Sequence, residues 1–466
     1  MATLEKSATA SQVNEFLANC PKLQEELMKI SVDAKLDAFS DVGELWKDQS
    51  YERRNKLKDG MTTAGFDPIL VEQEVGVYPQ LFDVDYYKTH LDCPASIGDR
   101  HLLDADCYDR GKNVRRVPYD KGTLIIGAGN SAIPVVLDIN LALLSNVAPL
   151  IKPDKNNFGA VTELVESFKD AGAHGEDHGK KETLGTLYKS MMVSYFTRDD
   201  PNYLNILTRG DISNVKFTGG DEAYQEISKL VAQNPNHVRV LAAGPLTGAI
   251  VLDENYVSKA AQNTAGQLAE EILIGGQKMC SSPNYGIWIG SYDGAVSFAN
   301  NLIKELHLKS KGLKVSESSE AVIQRVRLAL RSYGANVVTP EDGSTSATLV
   351  VSDGKSAVDE VYKQNKQLPL DLYRKPILLE IVALPDIDSA AYDIETLPFK
   401  SSFKGIWKVG TVGYALEQDK KTQLESKISA YRVKPLGRMF YREPTEPLGG
   451  DGESLVAFLT HLSYSS

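Results

Sequence analysis

Apolar and polar positions follow two alternating rhythms along this chain. Thr123 to Ile126 is a short β-rich run, GAGNSA (127–132) is a turn, Ile133 to Ser145 is apolar at helical spacing, and Val147 to Ile151 is a second buried strand. Strand, turn, helix and strand within about 30 residues predict a parallel βαβ crossover. Thr162 to Asp170 continues as a helix, 171–185 as a polar loop, MMVSYFTR (191–198) as a strand, and Val215 to Phe217 as a third short strand ending in Thr218-Gly219-Gly220. DEAYQEISKLVAQ (221–233) opens on acids and is amphipathic, which predicts a helix with a favourable N-terminus, and Val238 to Leu241 is a further strand. The same alternation resumes with a strand at Ala249 to Leu252, a helix from Tyr256 to Glu271 and a strand from Tyr285 to Ile289. Helices at 293–306 and 318–333, strands near 347–351 and 377–382, and a last helix at 453–463 complete the pattern. This is the rhythm of doubly wound α/β domains. Residues 1–118 are polar and helix-leaning. Within them, Asp41 to Lys58 and Asp67 to Leu81 read as surface helices, and 101–122 as a strand or hairpin leading into the α/β block.

The length of 466 residues suits about two to three domains. A net charge of −11 and the absence of any long Lys/Arg run exclude the basic stripe of a nucleic-acid binder. The charge-free run Gly122–Leu137 ends at Asp138 and contains Pro134 and several glycines, so it reads as a buried strand–helix unit and not as a membrane span. Cys20, Cys93, Cys107 and Cys280 are widely separated and form neither a CxxC pair nor a disulfide framework. The first twenty residues lack a basic stretch followed by an apolar one, so the expected compartment is the reducing cytoplasm.

Two segments suggest chemistry. GAGNSA lies after a strand and before a helix, in the loose Gly-x-Gly-x-x-Ala pattern of a dinucleotide phosphate loop. Its alternative is simply a tight turn. The usual acid at the end of the following strand is absent, and Lys152 and Lys155 stand there instead, which suits a phosphorylated ribose. GGQKMCSSP (275–283) sets Cys280 after glycines in a helix-to-strand loop, where backbone N–H groups favour a thiolate nucleophile. The alternative is an inert buried thiol. His174, Glu176, Asp177 and His178 share a polar stretch without metal-ligand spacing, and no metal is expected. Cys20, Cys93 and Cys107 read as structural, and His461 as a surface residue of the last helix.

Together these segments resemble the aldehyde dehydrogenase superfamily. KFTGG (216–220) is similar to its Phe-Thr-Gly-Ser turn under the nicotinamide cofactor, and LIKPDK (150–155) to its Lys-Pro-x-Glu segment at the adenosine ribose. LAAGPLTGAIVLDE (241–254) is similar to its Leu-Glu-Leu-Gly-Gly segment, and GGQKMC (275–280) to Gly-Gln-x-Cys with the nucleophile. They occur in the superfamily's order and at similar spacings. The resemblance implies an α/β fold of two doubly wound domains, one for cofactor and one for catalysis, with a C-terminal helical segment. The expected boundaries are 1–245, 246–435 and 436–466. It also implies Cys280 as nucleophile, Asn130 as an oxyanion donor beside the Cys280 N–H, and a cofactor along Lys152, Lys155, Thr218, Gly219 and Gly220.

Two departures narrow the reading. Ala242 stands where oxidising members carry the Glu that activates hydrolytic water, so a thioester on Cys280 would persist. Lys155 replaces the ribose-binding acid and favours NADPH, with NADH as the alternative. Both fit the acyl-CoA reductases of the bacterial luminescence type, which this chain resembles from about residue 85 onward through Gly129-Asn130 and PLGGDGESLVAFLTHL (447–462). The N-terminal portion matches through TTAGFDPILVEQEV (62–75). The expected activity is NADPH-dependent reduction of an acyl-CoA or acyl-carrier thioester to an aldehyde by a homodimer or homotetramer. An aldehyde dehydrogenase forming an acid and a silent scaffold are the competing readings.

Overall fold

The computed structural model describes residues 8–174, 177–311, 317–344, 346–364, 377–446, 449–450 and 452–465. The chain forms two compact units, Met1–Gly244 with Arg442–Ser466, and Pro245–Tyr441.

The first unit opens with five helices: α1 (Ala10–Met28), α2 (Val32–Lys47), α3 (Glu52–Thr63), α4 (Pro68–Val77) and α5 (Val84–Asp92). Helices α3 and α4 are largely exposed, as expected, but α2 is not a surface helix. In α2, Val32, Leu36, Phe39, Val42 and Trp46 recur every three to four residues, and all are buried in one core with Tyr78, Phe82 and Tyr87. Phe39 meets Phe82, Tyr87 and Phe168 edge-on at 6.1, 5.9 and 5.7 Å. High charge on the outer faces conceals a complete apolar stripe.

Strand β1 (Val114–Pro118) is followed by β2 (Gly122–Ile126), α6 (Ile133–Leu144), β3 (Pro149–Lys152), α7 (Phe158–His174), α8 (His178–Lys189) and β4 (Met192–Val193). Then come α9 (Pro201–Arg209), β5 (Ile212–Thr218), α10 (Asp221–Val231) and β6 (Arg239–Ala243). Strands β2 to β6 form a parallel sheet in the order β4-β3-β2-β5-β6. Much of the stretch expected as a polar loop at 171–185 is helical. Asp177 accepts from the N–H groups of Gly179 and Lys180 and so starts α8. Of 191–198, only Met192–Val193 is strand.

The second unit carries β7 (Leu246–Asp253), α11 (Glu254–Val257), α12 (Ala261–Leu273), β8 (Pro283–Ile289), β9 (Asn336–Val338), β10 (Thr348–Asp353), β11 (Leu378–Leu384), β12 (Lys408–Ala415) and β13 (Arg432–Pro435). Its seven-stranded sheet runs β13-β12-β7-β8-β11-β10-β9, parallel except for the edge strand β9. Strands β7, β8 and β11 are buried along their whole length, as expected of a parallel sheet covered on both faces.

The chain then returns to the first unit through β14 (Gly449–Gly450), β15 (Glu453–Ser454) and β16 (Thr460–Tyr464). The last helix is only Leu455–Leu459, and β16 pairs antiparallel with β1 from Val114↔Tyr464 to Pro118↔Thr460. His461 therefore lies on a strand, exposed, with its ring against Tyr119 at 5.1 Å. The segment 101–122 is not a hairpin, because the partner of β1 lies more than 300 residues away and leaves no free edge on that side. Among the described residues no helix is long and apolar enough to cross a membrane.

Candidate active site

Cys280 lies between α12 and β8, in a loop with an unusual backbone. Gly275, Gly276 and Gln277 take φ of 59°, 62° and 63° in succession. Glycine is required at the first, where a Cβ would come within 2.6 Å of Met279 Cγ. Gln277 tolerates the left-handed conformation because its carboxamide is fully engaged. Nε2 donates to the carbonyls of Pro283 (2.7 Å) and Leu378 (3.1 Å), and Oε1 accepts from Leu378 N–H at 2.9 Å. The loop is thus pinned to β8 and β11. Beyond it, Met279 N–H donates to Ser282 Oγ (3.0 Å), and Ser282 N–H to the Met279 carbonyl (3.0 Å). Ser281 and Ser282 are buried against Gly248, where a Cβ would come within 2.5 Å of the Ser281 carbonyl oxygen. Buried flanks present an exposed thiol, whose Sγ lies 4.0 Å from Ser281 Oγ. Cys20, Cys93 and Cys107 are buried, and burial pushes the Cys20 thiol up to about 12, which keeps it protonated and inert.

Asn130 sits, partly exposed, in the turn between β2 and α6. That turn is clamped from three sides. Asn157 Nδ2 donates to the Ala128 carbonyl at 2.9 Å, and a Cβ at Gly129 would come within 2.7 Å of Asp154 Oδ1. From α4, Glu74 Oε1 accepts from Ala132 N–H (2.8 Å), Ser131 Oγ (3.1 Å) and Tyr78 OH (3.1 Å). Burial raises the Glu74 carboxyl above the ordinary glutamate range, although all three hydrogen bonds favour its charged form. The α6 N-terminus already holds an anion of this chain, and a Cβ at Gly127 would come within 2.3 Å of Val135 Cγ2. GAGNSA is therefore a tightly packed, internally capped turn and not a pyrophosphate cradle. Its glycines admit neighbouring side chains rather than a nucleotide.

The N-terminus of α10 is different. It follows Gly220, where a Cβ would meet nothing within 4 Å, and its first turn carries Asp221 and Glu222. Thr218 and Gly219 are partly exposed at the carboxyl end of β5, the end of a parallel sheet where ligands bind. At the corresponding end of β3, Lys152 is half-buried, its Nζ 5.1 Å from the Tyr203 ring centre and 5.9 Å from that of Tyr195. Burial, reinforced by the nearby Arg198 guanidinium and opposed by Asp154, holds the Lys152 ammonium below the usual lysine range. Among the described residues neither Lys152 nor Arg198 has an ion-pair partner. Lys155 is exposed beyond them. Lys152 and Arg198, at the carboxyl end of the same sheet as the open turn at Gly220, suit a phosphorylated nucleotide cofactor.

Ala242 lies at the carboxyl end of β6, in register with Phe217, and the next residue accepts from Gly219 N–H at 3.3 Å. A methyl group thus adjoins the turn after β5 where the resemblance would place a carboxylate. Among the described residues no cluster could hold a metal ion. Of the polar stretch 174–178, Glu176 and the His174 side chain lie outside the described residues, and Asp177 is engaged in capping α8.

Reading the sequence misses Glu74, Asn157, Arg198 and the role of Gln277. Arg198 alone carries a usable signal, a cation just past a strand that ends beside the site. The other three act through partners distant in sequence or through backbone conformation.

The fold is that of the aldehyde dehydrogenases. The structure aligns with NADP-dependent glyceraldehyde-3-phosphate dehydrogenase from Bacillus halodurans, solved with NADP, at TM-score 0.68 and 14% identity, covering 98% of this chain and 91% of that one. It aligns equally with methylmalonate-semialdehyde dehydrogenase from Oceanimonas doudoroffii, at TM-score 0.68 and 13% identity over 99% and 91% of the two chains. A probable methylmalonate-semialdehyde/malonate-semialdehyde dehydrogenase (acylating), mitochondrial, from Caenorhabditis elegans is 23% identical over 367 residues, 72% of this chain. The chain spans 62% of that relative's length. The family model for acyl-CoA reductase (LuxC) matches residues 27–332. The protein belongs to the acyl-CoA reductase (LuxC) family.

Proposed function

We propose that the protein reduces an acyl thioester to an aldehyde with NADPH through a covalent acyl-enzyme on Cys280. The observation that carries this reading is Ala242 beside the Gly219 turn, in a chain that keeps an exposed cysteine in a braced loop. A nucleophile without a hydrolytic base forms a thioester and does not release it to water.

The Cys280 thiolate attacks the acyl carbon and the departing thiol of the donor leaves. The Cys280 N–H and the Asn130 amide are assigned to the tetrahedral oxyanion, and such donors contribute about 3 kcal/mol each. The chemistry that a bound nicotinamide cofactor supplies is one hydride to the acyl carbon. The resulting thiohemiacetal collapses, the C–S bond breaks, and Cys280 regains its thiolate as the aldehyde leaves. Lys152, Lys155 and Arg198 are assigned to the 2′-phosphate, and Thr218, Gly219 and Gly220 to the nucleotide under the nicotinamide. The acyl donor is a CoA or carrier thioester, and the active species is a homodimer or homotetramer.

NADPH consumption with acyl-CoAs from short to long, beside Cys280→Ala, tests this reading. Aldehyde formation that vanishes in the variant supports it. Robust aldehyde oxidation by the unaltered protein, with no reduction of any thioester, overturns it in favour of an acid-forming dehydrogenase. A gain of aldehyde oxidation in Ala242→Glu would locate the difference at that one side chain.

A further inference from the structure

A lysine sits where a parallel sheet has no evident use for one. Lys216 lies within β5, between Val215 and Phe217, and is only 1% exposed. A buried ammonium is costly unless it is paired and hydrogen-bonded. Lys216 Nζ donates to Thr218 Oγ1 at 3.0 Å and to the Phe217 carbonyl at 3.4 Å, and stands 3.6 Å from Asp138 Oδ2. Period-two alternation puts Lys216 and Thr218 on the same face of β5, and α6 brings Asp138, itself buried, onto that face. Burial pushes the Asp138 carboxyl up to about 6 even with the ammonium beside it, so the pair is an expensive arrangement. Apolar side chains of the same volume would fill this space as well. They would leave the Thr218 hydroxyl without its charged donor.

We propose that Lys216, anchored by Asp138, is a positioning residue that fixes Thr218 and thereby holds the turn Thr218-Gly219-Gly220 in its cofactor-binding conformation. The same pair ties α6, whose N-terminal turn carries Asn130, to the end of β5. The proposal rests on the assignment of that turn to the nucleotide. Lys216 itself is too buried to touch a ligand.

The test is a set of cofactor-binding titrations, read from NADPH fluorescence without substrate, with a thermal melt of each variant. Removing one charge alone would strand the other, so the informative variant is Lys216→Met with Asp138→Leu. It should melt close to the unaltered protein and bind NADPH about tenfold more weakly, the loss of one charge-assisted hold. Thr218→Val, at a partly exposed position that needs no repacking of the core, should weaken binding by a similar factor. Added to the double change, it should cost less than it does alone, because the pair acts through that hydroxyl. Full affinity in a well-folded Lys216→Met/Asp138→Leu variant would reduce the pair to packing and overturn the proposal. So would full affinity in Thr218→Val, whatever the double variant does. If the unaltered protein binds neither NADPH nor NADH, the cofactor assignment itself falls and takes this proposal with it.

Discussion

The turns after β2 and after β5 occupy equivalent places in two βα units, and the chain treats them oppositely. The first has the glycine-rich pattern of a phosphate loop, yet it is filled by Glu74 and braced by Asn157 and Asp154. The second has little pattern of its own, yet it is open at Gly220, and its helix begins with Asp221 and Glu222. Glycine spacing therefore does not locate an anion site in this fold. What separates the two turns is packing: the first is filled by side chains from elsewhere in the chain, and the second leaves room at Gly220.

Four experiments bear on that contrast. Gly220→Asp puts a carboxylate at the open turn where a side chain has room. Like charges roughly 6 Å apart at an effective dielectric of about 20 repel by about 3 kcal/mol. NADPH affinity should therefore fall about a hundredfold with the melting temperature unchanged, as read by titration and a thermal scan. Glu74→Ala, at the closed turn, should do the reverse. Leaving the Ala132 N–H unsatisfied should cost about 2 kcal/mol of stability in a urea titration and leave NADPH affinity intact. A matching loss of NADPH affinity in Glu74→Ala would erase the distinction between the turns.

Arg198→Ala should lower the preference for NADPH over NADH about tenfold, measured as the ratio of the two dissociation constants. The smallest effect concerns the far end of α6. There Lys35, fully buried, donates to Asn146 Oδ1, and burial lowers its ammonium to about 7. The folded chain then binds fewer protons than the unfolded one between about pH 7 and the ordinary lysine value. Stability from this group is absent below that window and grows as pH rises through it. From pH 7 to 8 the gain should be about 1 kcal/mol, and Lys35→Met should flatten it.

The βαβ rhythm, the Cys280 loop and the turn after β5 are legible in the sequence because each is a local pattern of a few residues with a distinctive composition. The end of α2 reads as a surface element because its charged outer face hides the stripe of Phe39, Val42 and Trp46, whereas α3 and α4 are largely exposed as read. The strand at 460–464 reads as helix because its leucine-rich approach, Leu455–Leu459, is helical and only pairing with the distant β1 makes the final residues extended. Glu74 is invisible because its partners lie 57 and 58 residues further along. The Lys216–Asp138 pair likewise exists only once α6 has docked on β5.

The return of residues 442–466 to the first unit sets a schedule for synthesis. The second unit emerges from the ribosome whole and can fold as it appears, since domains generally fold as units during translation. The first unit cannot finish. Its β1 waits with an unpaired edge until Thr460–Tyr464 has been made, and the pocket filled by Leu455, Val456 and Leu459 stays empty for as long. During that interval the nascent chain displays an open strand and an apolar cleft, the two features that invite chaperones and aggregation. Trimming a few residues from this returning segment would make the interval permanent.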